Sequence, residues 1–144
     1  SWTNDMITAE DVACEAKKWV GTPYVHQARL LGVGVDCIGL VLEVGRSLGV
    51  IDFDYADYSS MPDGITLMER VRKHFVPGGA PVPGSIGVFK WRVHPQHFCI
   101  FGKAGDALTL IHAWQRTDSC VEVSFDKVWR GRLASVWHFP GVKY

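Results

Sequence analysis

The sequence predicts an α+β fold in which helices come first and antiparallel strands follow. Apolar residues recur with helical period up to about residue 75. A segment rich in proline and glycine, residues 76–84, separates that half from a second half of short runs of β-forming residues. Segregated helices and strands are typical of α+β folds. At 144 residues the chain is long enough for one core, so residues 1–144 are interpreted as a single domain.

Three helices are predicted in the first half from their apolar stripes. They are Thr8 to Gly21, Cys37 to Leu48 and about Ile65 to Phe75. Thr8 with Asp11 three residues later can form a capping box, and Gly21 supplies a stop. The second helix follows Asp36, a preferred N-cap residue. Cys37 lies on its apolar stripe, so we expect this side chain to point inward from the first turn.

Five strands are predicted in the second half, and about five should pair into one antiparallel sheet. They are Ile86 to Trp91, His97 to Lys103, Ala107 to Ala113, Cys120 to Phe125 and Leu133 to Phe139. Because side chains alternate along a strand, His97 shares a face with Cys99, and His112 shares one with Leu110. We expect both imidazoles to lie over the inward stripe of the second helix.

Charge and hydropathy argue against two classes of partner. Fifteen Lys and Arg residues balance fifteen Asp and Glu residues, and no stretch concentrates the basic ones. The sequence has no basic cluster that would bind a polyanion, so nucleic acid is not expected as a partner. No apolar run approaches the roughly 20 residues that cross a bilayer, so no membrane span is expected. The first five residues lack the features of a signal peptide.

The cysteine pattern favours a nucleophile over a metal or redox centre. The four cysteines are Cys14, Cys37, Cys99 and Cys120, with no Cys-x-x-Cys pair. A working thiolate must stay free, so at most one disulfide would remain, and Cys14 and Cys120 are interpreted as structural. No metal or other cofactor is expected.

A cysteine at a helix start next to strand histidines indicates covalent catalysis. The helix dipole favours the thiolate of Cys37, whereas the carboxylate of Asp36 opposes it, so a histidine partner is needed. His97 would take the thiol proton and later protonate the leaving amine. His112 would bond the other ring nitrogen of His97 and fix its orientation. A structural cysteine on an apolar stripe is the alternative reading.

Two metal-site alternatives are weaker. His94, His97, Cys99 and His112 could form a zinc cluster, but Pro95 prevents the helix on which a His-x-x-His pair converges. The acidic run Asp52, Asp54 and Asp57 fails the calcium-loop pattern, which needs glycine where Asp57 stands. It is interpreted as a solvated loop.

Five successive motifs resemble those of the NlpC-type cysteine peptidases, and the resemblance spans most of the chain. They are Gly21-Thr22-Pro23-Tyr24-Val25, Asp36-Cys37-Ile38-Gly39-Leu40-Val41, Pro83-Gly84, His97-Phe98-Cys99-Ile100 and Ile111-His112-Ala113. The resemblance implies a papain-like enzyme that cuts peptidoglycan stem peptides without metal, typically between D-γ-glutamyl and the diamino acid. With His26-Gln27 and Ile38, the chain is most similar to members from phage tails and gene transfer agents.

The resemblance assigns a role to each matching position. Cys37 matches the nucleophile, His97 the base and His112 the orienting residue. Tyr24 matches a tyrosine that binds the oxyanion or substrate beside the backbone amide of Cys37, and Asp36 matches the acidic residue before the nucleophile. It also implies synthesis in a bacterial cytoplasm, contacts with phage-like tail proteins, and action in the periplasm or cell wall.

Three positions depart from the family pattern. The family usually has serine at Ile38, aspartate at Ser85 and glycine at Cys99. Cys99 could crowd the site or be oxidised against Cys37. Two other functions therefore remain open: a catalytically silent tail-hub or binding protein, and an acyltransferase or amidase on the same scaffold.

Overall fold

The computed structural model describes residues 6–52, 64–91 and 94–144, without the side chains of residues 94–96. In chain order the elements are α1 (Ala9–Lys17), β1 (Arg29–Leu30), β2 (Gly34–Val35), α2 (Cys37–Ser47), α3 (Gly64–His74), β3 (Val76–Pro77), β4 (Ile86–Trp91), β5 (His94–Ala104), β6 (Ala107–Trp114), β7 (Ser119–Ser124), α4 (Lys127–Arg132) and β8 (Leu133–His138). Helices precede the main strands, so the predicted α+β class is confirmed.

The main sheet has six antiparallel strands in the order β3-β8-β4-β5-β6-β7. The five predicted strands form its body. The sixth, β3, contains Pro77 and lies at the edge, where a residue without an amide hydrogen does not interrupt a ladder. The proline- and glycine-rich segment thus contributes an edge strand and no central one, as its composition predicts.

The caps predicted from sequence form as expected. Thr8 and Asp11 make a capping box at α1, with Thr8 Oγ1 accepting from the Asp11 amide at 3.1 Å. The helix ends at Lys17, earlier than predicted, and turns carry the chain to Gly21 at φ +93°. Val20 lies in these turns and is exposed. At α2, Asp36 Oδ1 accepts from the Gly39 amide at 2.7 Å.

The sheet is covered on both faces. One face packs on α1, α2 and α3 and forms the main core, with β5 and β6 contributing Phe98, Ile100, Ile111 and Ala113. The other face forms a second, smaller core with α4, composed of Phe89, Cys99, Phe101, Leu110, Phe125 and Trp129. Because both faces are covered, β5 and β6 direct apolar side chains to both sides of the sheet.

Candidate active site

The buried carboxylate of Asp36 fixes the start of α2, where Cys37 is the first residue. One oxygen of Asp36 caps the helix at Gly39, and the other accepts from the Gln27 amide at 2.7 Å. Gln27 adopts a left-handed conformation at φ 62°, which a non-glycine residue rarely takes. His26 Nδ1 lies 3.7 Å from the same carboxylate. Asp36 therefore ties the chain before β1 to the helix that presents the cysteine.

The pairing of β5 with β6 ends before it reaches the two candidate histidines. The register between β5 and β6 runs from Ala104 paired with Ala107 to Ile100 paired with Ile111. His97 and His112 lie just past that last pair, on β5 and β6 respectively. The two histidines thus stand at the point where the strands diverge.

The two imidazoles are joined to each other and buried. His97 Nε2 lies 2.7 Å from His112 Nδ1, and the side chains are 6% and 1% exposed. A short bond between ring nitrogens fixes the orientation of both rings. Because Nε2 of His97 is used in this bond, Nδ1 is the nitrogen left to exchange a proton.

The faces of the two histidines differ from the expectation that both lie over α2. By strand alternation they share faces with Cys99 and Leu110, and both of these residues lie in the second core. That face, however, is covered by Trp129 of α4 and not by α2. The expectation was wrong because alternation fixes which side chains share a face, whereas the packing of the helix decides which face it covers.

Cys37 nevertheless reaches the backbone next to His97. The Phe101 amide donates to Ser85 on the β4 side, so by alternation the Phe98 amide points to the opposite edge, where β6 has diverged. There the Phe98 amide lies near enough to the Cys37 thiol to lower the pKa of that thiol. No hydrogen bond joins Cys37 Sγ to the His97 ring within the described residues. The thiol therefore lies near the β5 backbone at Phe98, the residue that follows His97.

The electrostatics favour a neutral resting pair. Burial raises the pKa of Cys37 to about 12, and the charge of Asp36 adds to the rise. Amides of Phe98, Ile38 and Cys37 itself lower this pKa without offsetting the increase. Burial, followed by the neighbouring His112, holds the pKa of His97 well below its usual value. The helix start alone therefore does not produce the thiolate that its dipole would favour.

Tyr24 lies beside the cysteine. Its amide donates to the Asp118 carbonyl at 2.8 Å, and it forms a parallel bridge with Val35, two residues before Cys37. Burial raises the pKa of the Tyr24 hydroxyl to about 12, with contributions from Cys37 and Asp36. The hydroxyl is thus close enough to interact with the thiol and stays protonated as a hydrogen-bond donor.

Aromatic side chains that sequence reasoning missed surround the histidines. This aromatic enclosure consists of Phe89, Trp91, Trp114 and Trp129, with ring centroids between 5.9 and 6.2 Å from that of His97. A signal was present, because Trp114 follows His112 by two residues and must share its face. Trp129 could be found only by recognising α4.

The three departures from the family pattern are accommodated in different ways. Ile38 is 6% exposed and packs in the main core. Ser85 Oγ accepts from the Val82 amide at 3.1 Å and so caps the Pro-Gly turn. Cys99 is buried in the second core, and all four cysteines are free thiols.

The metal-site alternatives and the membrane span can be compared with the described residues. Across residues 6–52, 64–91 and 94–144, no group of three or more His, Cys, Asp and Glu side chains is placed to hold a metal ion. The side chain of His94 and residues Asp54 and Asp57 lie outside the described residues. In the same ranges, no helix has the length and apolar character that a membrane span requires.

Solved structures show what this fold is similar to. The NlpC/p60 domain of the peptidoglycan hydrolase SagA is 19% identical, with 91% of this chain and 98% of that chain covered and a TM-score of 0.63. An NlpC/p60 family protein from Bacillus cereus is 17% identical over 94% of this chain and 41% of that chain, with a TM-score of 0.68. An N-acetylmuramoyl-L-alanine amidase from Bacteroides uniformis is 13% identical over 90% and 96%, at 0.58.

The sequence itself matches no protein-family model and no curated protein. The structural likeness nevertheless extends over nine-tenths or more of the chain in each comparison. The chain therefore has the papain-like fold of the NlpC/p60 domains.

Proposed function

We propose that this chain is a cysteine peptidase that hydrolyses peptidoglycan stem peptides, with Cys37 as nucleophile, His97 as base and His112 as orienting residue. The observation that carries the proposal is the buried bond between His97 and His112, at 2.7 Å. The amide of the next residue, Phe98, lies near enough to the Cys37 thiol to lower its pKa. The papain-like fold supports it, since SagA is a peptidoglycan hydrolase. The fold alone does not decide function, so the geometry of these side chains is the stronger support.

Acylation follows from the neutral pair. As Cys37 Sγ attacks the scissile carbonyl carbon, its proton passes to Nδ1 of His97, and the carbonyl oxygen becomes an oxyanion. The Tyr24 hydroxyl and the amide of Cys37 are the donors proposed for that oxyanion. When the C–N bond breaks, His97 returns the proton to the leaving amine and a thioester remains on Cys37.

Deacylation reverses these roles. His97 removes a proton from a water molecule that attacks the thioester carbonyl, and the proton then returns to the departing sulfur. Because the pKa of Cys37 is raised and that of His97 is lowered, thiolate and imidazolium form only while bonds are changing. His112 holds the ring in place throughout both half-reactions.

The finer assignments rest on the motif resemblance. The bond proposed is that between D-γ-glutamyl and the diamino acid, and the proposed setting is a phage-like tail particle acting in the cell wall. Mass spectrometry of purified tail particles should detect the chain if that setting is right, and its absence from intact particles would contradict it.

The enzyme assay compares Cys37→Ala with Cys14→Ala. Purified peptidoglycan is treated with each protein, and the released muropeptides are weighed by mass spectrometry. Wild type and Cys14→Ala, which changes an exposed free thiol, should release fragments cut after D-glutamate, whereas Cys37→Ala should release none while remaining folded. Release by Cys37→Ala would exclude this nucleophile.

Two alternatives each have an observation in their favour. The Bacteroides uniformis protein of the same fold is an amidase, and an amidase would release complete stem peptides from muramic acid in the same assay. A silent binding protein is favoured by the lack of a Cys37–His97 hydrogen bond within the described residues. It would release nothing even as wild type, while still co-sedimenting with peptidoglycan.

A further inference from the structure

His112 contains a ring nitrogen that is buried without a hydrogen-bond partner. Its Nδ1 meets His97, but its Nε2 has no such partner among the residues the structure describes. The residue is only 1% exposed. Burial of an unpaired polar nitrogen is costly, so what surrounds this atom decides whether it carries a hydrogen or a lone pair.

The ring of Trp129 packs against the ring of His112. The two centroids are 5.0 Å apart and the planes meet at 78°. In this T-shaped arrangement the positive edge of one ring meets the negative face of the other, and an N–H can point into a π face. Trp129 is itself held in place, because its amide donates to the Asp126 cap at 3.0 Å and its ring packs on Phe89.

We propose that Trp129 is a positioning residue that sets the tautomer of the histidine pair, with its indole face accepting the Nε2–H of His112. The Nδ1 of His112 is then an acceptor, so His97 donates through its own Nε2–H. As a result, Nδ1 of His97 carries the lone pair that receives the thiol proton. This last consequence rests on the proposed function, whereas the tautomer itself does not.

The opposite tautomer is disfavoured for a physical reason. It would place the Nε2 lone pair of His112 against the electron-rich face of Trp129, where two negative regions repel. His112 would then donate through Nδ1, and His97 would accept at Nε2 with its hydrogen on Nδ1. A His97 ring in that state cannot take the proton of Cys37, so the wrong tautomer would be inactive.

The direct test measures the ring nitrogens of the free protein by nitrogen-15 NMR at pH 7. In wild type, His112 should be protonated at Nε2 and not at Nδ1. Trp129→Leu, which removes the π face, should populate both tautomers, and Trp129→Phe should restore the single one. Trp137→Leu is the matched control, because Trp137 and Trp129 are 8% and 9% exposed and Trp137 belongs to the main core.

Activity gives a second readout. Trp129→Leu should lower kcat roughly fivefold, the change expected for one weak N–H···π contact, with KM unchanged and partial recovery in Trp129→Phe. Protonation of His112 at Nδ1 in wild type would overturn the proposal, whether or not the variants fold. A single unchanged tautomer in folded Trp129→Leu would also overturn it. An Nε2–H tautomer in a protein without hydrolase activity would instead leave the proposal standing and refute the proposed function.

Discussion

Replacing Asp36 with asparagine separates the two effects that this carboxylate has on the site. Its oxygens accept amides from Gly39 and Gln27, both at 2.7 Å, and the residue is 2% exposed. An asparagine keeps one acceptor oxygen and presents an NH₂ group to the other amide. The loss of one hydrogen bond to a charged group should cost about 2 kcal/mol, which lowers Tm by about 4–8 °C in a chain of this size.

The same substitution should make Cys37 more reactive. The charge of Asp36 raises the pKa of the thiol, so Asp36→Asn should lower that pKa and increase the thiolate fraction at pH 8. Peptide-level mass spectrometry of iodoacetamide-treated protein measures the rate at Cys37, with the exposed Cys14 as internal reference.

Asp11→Asn is the matched control, because it also removes a carboxylate that accepts a backbone amide, at 2.9 Å from Thr8. It should lower Tm without changing the rate at Cys37. An Asp36→Asn protein that is less stable but alkylated at Cys37 no faster than wild type would refute this electrostatic reasoning.

Two further predictions concern stability. Gly84→Ala places a Cβ 2.2 Å from the Ala9 carbonyl oxygen at φ +94°, and should cost roughly 3 kcal/mol or more in urea unfolding. Gly105→Ala, at φ +59° with nothing within 4 Å, should cost only about 1 kcal/mol. Equal losses of stability in the two variants would contradict a steric clash at Gly84. Burial lowers the pKa of His112 to about 4, so between about pH 6.5 and 4 the unfolded chain binds a proton that the folded chain excludes. Stability should therefore fall by about 3 kcal/mol as the pH drops through that window, and His112→Gln should show a smaller fall than wild type.

Local signals in the sequence predict much of this fold. Thr8 and Asp11 predict the start of α1, and Asp36 predicts that of α2, because capping depends on residues within one turn. Strand alternation places His97 on the same face as Cys99, and His112 on the same face as Leu110. The helix α4 was missed, since Lys127–Arg132 has six residues, which is too short for an apolar period. Its available signal was the N-cap Asp126 with Arg130 and Arg132 in the last turn.

The candidate site was harder to predict because it depends on contacts between distant segments. Sequence spacing cannot show that the pairing of β5 with β6 ends at Ile100 and Ile111, nor that the Phe98 amide lies near the Cys37 thiol. Sequence spacing also cannot show whether the helix dipole, which lowers the pKa of the Cys37 thiol, outweighs burial and the charge of Asp36, which raise it. Those terms depend on the surroundings in the folded state.

A covalent intermediate on Cys37 would test the account most directly. Wild-type protein mixed with soluble stem peptides and quenched rapidly with acid should show an acyl adduct by intact mass, and fragmentation should locate it on Cys37 as a thioester. His97→Ala should form no adduct on this timescale. Peptide hydrolysis that proceeds with Cys37 unmodified, or an adduct located on Cys14 instead, would contradict the mechanism.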